Sequence, residues 1–265
     1  MRGAILGDII GSPYEFDRGN KTKDFPLFSR ESNYTDDSVM TCAIAKAFMK
    51  SIDEQADDDQ IRKNIIECLK YYGNKYPLAG YGVRFYRWLK QENSQPYNSL
   101  GNGSAMRVSS VAWLYDNLED VEHAAKLSAE VTHNHPEGIK GAQAVASAIY
   151  LARTHHSKQE IKEYIESKYQ CDLSRTIEQI RPSYYHVETC MESVPEAITG
   201  FLEGDSFEDV LRTTISLGGD CDTLGAIAGS IAQAYYGIDP QLSDRCKDYL
   251  PDDLYSIVLE FEKRC

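Results

Sequence analysis

Apolar side chains recur at three- and four-residue steps along most of the chain. In residues 37–50, DSVMTCAIAKAFMK, the side chains of Val39, Met40, Ala43, Ile44, Ala47 and Phe48 fall on one stripe of a helix. The same spacing predicts helices over 58–73, 105–116, 119–131, 138–154, 158–168, 193–203, 206–216, 223–236 and 252–264. Thr35 ahead of two aspartates, and Asp205 and Ser206 ahead of FEDVLRTTI, mark helix starts, because their side-chain oxygens can cap the first free amides. No segment alternates as a strand. Polar, glycine-bearing loops at 17–34, 74–82, 91–104 and 132–137 are short for interdomain linkers, and no fixed-period repeat appears. The pattern predicts a single all-α domain over 1–265.

Three of these segments are rich in small residues: RGAILGDIIG, with Gly3, Gly7 and Gly11 four apart, GIKGAQAVASAIYLA, and LGAIAGSIAQAYYG. Glycine inside a helix costs about 1 kcal/mol relative to alanine, so a glycine ridge calls for close helix packing in return. These are expected to be the central helices.

Composition narrows the function. The chain has 265 residues, 42% of them hydrophobic, enough for a large core. Its 41 acidic and 28 basic residues give a net charge of −13, and no run of lysine and arginine could track a nucleic-acid backbone. Nucleic acid is therefore excluded as a partner, except as a modified substrate. An acidic protein that takes an anionic small ligand must do so with bound cations, helix N-termini or glycine-loop amides. Seven dispersed cysteines without CxxC spacing make neither a disulfide framework nor a thiolate metal site, which points to a reducing cytoplasm. Asp8 interrupts the N-terminal apolar stretch, and no membrane-length run follows, so neither a signal peptide nor a transmembrane helix is expected.

Candidate chemistry sits in five short stretches that join carboxylates, hydroxyls and glycines at helix starts: GDIIGSPYE, ending in Glu15; YTDDS, 34–38; GNGSAMR, 101–107; THNHPEG, 132–138; and GGDCDTLGAIAG, 218–229. Asp36 and Asp37, or Asp220 and Asp222, could each be ordinary helix-start residues that complement the macrodipole. Both helices look buried, however, and several buried carboxylates are costly unless a cation neutralises them. Four aspartates, two threonines and a glutamate are hard oxygen ligands suited to magnesium, manganese or calcium, and two ions balance the charge better than one. GNGSAMR is either a turn or a loop whose glycines and helix-start amides approach a phosphate; its spacing is neither a Walker motif nor a dinucleotide fingerprint. His133 and His135 are too close for a helical metal pair. The rings of YGNKYPLAGYGVRFYRW offer stacking faces for a base, though most belong in a core.

Together and in this order, GAILGDIIGSPYE, YTDDSVMT, GNGSAMR, THNHPEGIKGA and GGDCDTLGAIAG resemble the ADP-ribosylglycohydrolase family, related to the dinitrogenase-reductase-activating glycohydrolase. The similarity spans residue 3 to about 236. It implies a compact orthogonal multi-helix bundle with two Mg2+ or Mn2+ ions in a central cleft. On this resemblance Thr35, Asp36, Asp37, Asp220, Asp222 and Thr223 are the metal ligands, with Asp222 bridging. Glu15, Asp36 and Asp37 are the catalytic carboxylates, Glu15 serving as base, ligand or gate depending on the member. Gly101, Asn102, Gly103, Ser104, Met106 and Arg107 match the loop around the diphosphate and neighbouring ribose. His133 matches the family's Thr-His histidine, with His135 a second choice. Cys221 departs from the usual small residue or threonine and is expected to face away from the metals.

The resemblance implies hydrolysis of the glycosidic bond between ADP-ribose and an acceptor, a modified protein side chain or another ADP-ribosylated group; the chain is expected to be a monomer. Two alternatives stay open: a hydrolase of small ADP-ribose derivatives, and a noncatalytic ADP-ribose-binding module. Intact metal positions favour the enzyme.

Overall fold

The fold was analysed in a computed structural model, which describes residues 1–19 and 21–265; the loop expected at 17–34 includes Asn20, which lies outside the described residues. In chain order the helices are α1 (Arg2–Gly11), α2 (Asp36–Asp53), α3 (Asp58–Lys75), α4 (Val83–Lys90), α5 (Gly103–Met106), α6 (Val111–Leu114), α7 (Leu118–Glu130) and α8 (Pro136–Arg153). They continue as α9 (Lys158–Tyr169), α10 (Ile177–Ile180), α11 (Cys190–Glu203), α12 (Phe207–Ile215), α13 (Cys221–Tyr236), α14 (Pro240–Asp244), α15 (Cys246–Tyr249) and α16 (Asp252–Glu262). No strand occurs among the described residues; one isolated bridge joins Gly101 to Thr189. The protein is all-α, as the periodicity predicts.

Helix starts obey local chemistry. Thr35 accepts the amide of Asp37, Asp57 that of Gln60, Asn117 that of Asp120, and Ser206 that of Asp209, each satisfying a donor the helix cannot. The helix expected over 105–116 is broken into α5 and α6, with Arg107 and two serines between them. Arg107 and Ser110 are buried there, so their polar groups work in place of a continuous apolar stripe. α4 lies partly within the tyrosine-rich stretch, where short length and flanking glycines hide the helical period.

α13 is the central helix, with α1, α8, α11 and α12 packed around it. It is buried over most of its length, as is α1. Their contact explains the glycine ridge: a Cβ on Gly3, Gly7 or Gly11 would strike the main chain of Gly229, Gly225 or Cys221. Gly225 and Gly229 face back at Gly7 and Gly3, so the two backbones touch. One continuous cluster of buried apolar side chains runs from Met1 to Phe261. All seven cysteines are free, and among the described residues no helix is long and apolar enough to cross a membrane.

Candidate functional site

The close approach of α1 to α13 sets Asp8 at the centre of the molecule. Asp8 is fully buried and accepts hydrogen bonds from the Thr35 amide at 2.9 Å, the Thr35 hydroxyl at 2.8 Å, the Ser38 amide at 3.0 Å and the Ser38 hydroxyl. It therefore fixes the first turn of α2, from which Asp36 and Asp37 project. The Asp36 amide donates to Ala79 O at 2.7 Å, tying that turn to the loop before α4.

Gly218 and Gly219 turn the chain into α13 with φ of +77° and +74°, a left-handed geometry that favours glycine. A Cβ on Gly219 would also meet Tyr185 O at 2.8 Å. Asp220 occupies the N-cap position of α13 without capping it. Its Oδ2 instead accepts the Asn102 side-chain amide at 2.6 Å. Asp222 Oδ1 accepts the Thr223 amide at 2.9 Å, and the Thr223 hydroxyl donates to Asp37 Oδ2 at 3.2 Å. The starts of α2 and α13 are thereby joined directly. Cys221 turns away, its thiol donating to Ile215 O at 3.5 Å.

Asp37 Oδ1 is buried and has no hydrogen-bond partner. Six carboxyls share this region, those of Asp8, Glu15, Asp36, Asp37, Asp220 and Asp222, and each is held above its ordinary pKa by burial first. The charge of Asp222 is the next largest cause for the other five, bringing Glu15 to about 8 and Asp8 to about 7. Repulsion of this kind is what a divalent cation relieves. An orphaned buried carboxylate oxygen amid hard oxygen donors fits magnesium or manganese in ligand type.

These groups line a cleft of about 520 Å³, a volume suited to a nucleotide-sized ligand. Glu15, Asp36, Asp37, Asp220, Asp222 and Thr223 lie on its wall, as do Gly101, Asn102, Gly103, Met106, Arg107 and His133. Thr35 is directed to Asp8 instead of lining the cleft. Ser104 is fully buried, its hydroxyl donating to Gly138 O at 2.7 Å, and lies off the cleft wall. The helix start expected to offer phosphate amides is the single-turn α5, which reduces any dipole contribution there. His135 caps α8, its Nδ1 accepting the Glu137 amide at 3.1 Å, and lies off the cleft wall.

The same lining carries an unusual cation. Arg107 is 1% exposed, donates to Ser128 O at 3.0 Å and Thr132 Oγ1 at 2.8 Å, and leaves its Nε without a partner. Burial pushes its pKa down to about 10, the direction a desolvated cation must take. His133 Nδ1 lies 2.7 Å from Thr132 Oγ1. That hydroxyl also accepts from Arg107 and lies 3.5 Å from Ala129 O, so it can meet Nδ1 as donor or as acceptor. Nε2 would lie 3.1 Å from a Cβ on Gly103, so only glycine leaves this edge of the ring clear. Burial, then the charges of Arg107 and Arg84, hold His133 well below its ordinary pKa, and it is neutral.

Several residues in or behind the cleft escape sequence reasoning. Asp8 registers only as a break in an apolar run, although a charge inside a glycine-spaced helix is itself a signal. His186 sits with Glu15 and Asp220 so that one ligand atom from each lies within 4.8 Å of the others. Nothing in YYHVET distinguishes it locally. Phe85 and Tyr97 line the cleft beside Arg84, and only the fold brings them there.

The chain thus folds as an all-α bundle around a carboxylate cleft whose lining also includes a glycine loop and a buried arginine. The family model for ADP-ribosylglycohydrolase matches residues 1–265, and the chain belongs to that family of hydrolases. It is 28% identical over 334 residues to ADP-ribosylhydrolase ARH3 of Homo sapiens, covering 96% of this chain and 90% of that protein. It is 25% identical over 268 residues to ADP-ribosyl-[dinitrogen reductase] glycohydrolase of Rhodospirillum rubrum, covering 89% and 84%. A solved structure titled ADP-ribosylglycohydrolase-related protein complex superposes with a TM-score of 0.69 at 20% identity, covering 99% of this chain and 95% of that one, and shares the fold.

Proposed function

We propose that the protein is a metal-dependent ADP-ribosyl glycohydrolase that cleaves the bond between the anomeric carbon of ADP-ribose and an acceptor atom. Water adds at that carbon, the bonding pair leaves with the acceptor, and the acceptor takes up a proton; ADP-ribose is released. The observation that carries this reading is the orphaned, buried Asp37 Oδ1 amid crowded carboxyls, in the same cleft as a buried arginine with a free Nε.

Asp36, Asp37, Asp220, Asp222 and Thr223 would hold two Mg2+ or Mn2+ ions, with Thr35, bonded to Asp8, steadying the turn that carries Asp36 and Asp37. When bound, the ions supply Lewis acidity and positive charge beside the distal ribose. Glu15 lines the cleft with its carboxyl pushed up to about 8, near the value at which a side chain exchanges protons at neutral pH. It receives the proton of the attacking water as oxocarbenium character develops on the ribose. Asp36 orients that water. Arg107, the Gly101–Gly103 main chain and His133 hold the diphosphate and its ribose, and Phe85 and Tyr97 supply ring faces for the base. Seven free thiols suit a reducing cytoplasm, and a cleft built wholly within one chain suits a monomer.

The acceptor is tested with a panel of ADP-ribosylated arginine and serine peptides, an ADP-ribosylated oligonucleotide and ADP-ribose esters, with each metal. Release of ADP-ribose from at least one glycosidic substrate supports the reading. Tight ADP-ribose binding with no turnover of any of them would point to a noncatalytic module.

A further inference from the structure

A second cavity of about 300 Å³ lies on the other side of the first turns of α11, between α11 and α8. Its wall contains Glu196, which is 4% exposed. Glu196 Oε1 accepts the Arg175 guanidinium at 2.6 Å, while Oε2 is buried and has no partner. A buried carboxylate oxygen left bare carries its full desolvation cost, so its presence asks for a donor that the chain does not provide. Pro195 adds a second acceptor. It sits inside α11 without an N–H, so the Met191 carbonyl lacks the donor that a helix supplies four residues on, and both residues line the cavity. Lys140, paired with Glu137 at 2.6 Å, and Arg175 bring positive charge to the same cavity. Each uses only part of its donor set in these pairs.

We propose that this cavity is a second ligand site for a small zwitterion, whose ammonium or guanidinium end is received by Glu196 Oε2 and the Met191 carbonyl and whose carboxylate is held by Lys140 and Arg175. The site is separate from the metal chemistry but mechanically joined to it. Cys190 lines the cavity and donates its thiol to Gly101 O at 3.1 Å and its amide to Leu100 O at 3.0 Å. Three residues on, Ser193 Oγ accepts the Asn102 side-chain amide at 3.1 Å, and that amide also holds Asp220. A ligand that braces the first turns of α11 therefore braces the glycine loop and one metal-site carboxylate.

The test is isothermal titration calorimetry of the Mg2+-saturated protein with L-arginine as the probe, and with agmatine, which lacks the carboxylate. The wild type is expected to bind one L-arginine saturably and agmatine more weakly. Glu196→Gln and Lys140→Ala are each expected to weaken L-arginine by about tenfold or more. Asp222→Asn, in the other cleft, is expected to leave it unchanged. Lys140 sits at the surface, so its variant carries the test if Glu196→Gln folds poorly. Absence of saturable heat in the wild type overturns the proposal, as does agmatine binding as tightly as L-arginine. Binding that survives both cavity variants but vanishes in Asp222→Asn also overturns it, by placing the probe in the catalytic cleft.

Discussion

Asp8 is the residue on which the geometry of the α2 aspartates turns. It satisfies two main-chain amides and two hydroxyls, all in the buried turn that presents Asp36 and Asp37. Asp8→Ala leaves those donors without an acceptor and is expected to cost about 2–4 kcal/mol in urea unfolding. Asp8→Asn keeps one acceptor and should cost less while still weakening metal binding, read by calorimetry with Mn2+. Equal, negligible losses in both variants would show that the turn holds without Asp8. The crowded carboxyls give a pH signature. Glu15 and Asp8 titrate near 8 and 7 in the folded chain, against about 4 when unfolded, so the folded state binds more protons in between. Stability of the EDTA-treated protein should therefore fall as pH rises from about 5 to 8, and Mg2+ should restore it most at the alkaline end. Scanning calorimetry that shows no such slope would remove the electrostatic account of the cleft.

At the scale of elements, the glycine contact between α1 and α13 holds the site together. Gly7→Ala would drive a methyl into the Gly225 carbonyl, and backbone cannot move aside as a side chain can. Gly73→Ala meets only the Leu89 side chain, at 2.7 Å, and serves as the control. Gly7→Ala is expected to cost about 1–3 kcal/mol or more and to lower activity, because Asp8 and Asp222 ride on the two helices; Gly73→Ala should cost less. Thermal melts and ADP-ribose release measure both effects, and equal costs would contradict the backbone contact. Much of this architecture is legible in the sequence. Apolar spacing gives α2, α3, α7, α8, α9, α11, α12, α13 and α16 to within a few residues, and the four-residue glycine spacing marks α1 as central. The break after Met106 is not legible, because Arg107 is buried by contacts to Ser128 and Thr132 that lie more than twenty residues away. For the same reason His186 and Glu196 are invisible locally: their surroundings come from distant segments.

Across the whole molecule, the proposed function asks an acidic protein, of net charge −13, to take an anionic substrate. On that reading the labour is divided within the cleft. The carboxyls that repel one another would take up cations, and Arg107, in the same lining, would meet the anion. Arg107→Ala should therefore raise KM for an ADP-ribosylated substrate by about tenfold or more and change kcat less, since its role is binding. An effect on kcat alone would move Arg107 into the chemical step. On the proposed function, the carboxylate wall acts only when loaded with divalent ions. The most direct test measures ADP-ribose release from an ADP-ribosylated peptide across a titration of Mg2+ or Mn2+ into EDTA-treated protein. The account predicts no turnover without metal, recovery on addition, and a loss of about a hundredfold or more in Asp222→Asn even at saturating metal. Full turnover by metal-free protein, or an Asp222→Asn variant as active as the wild type, would contradict it.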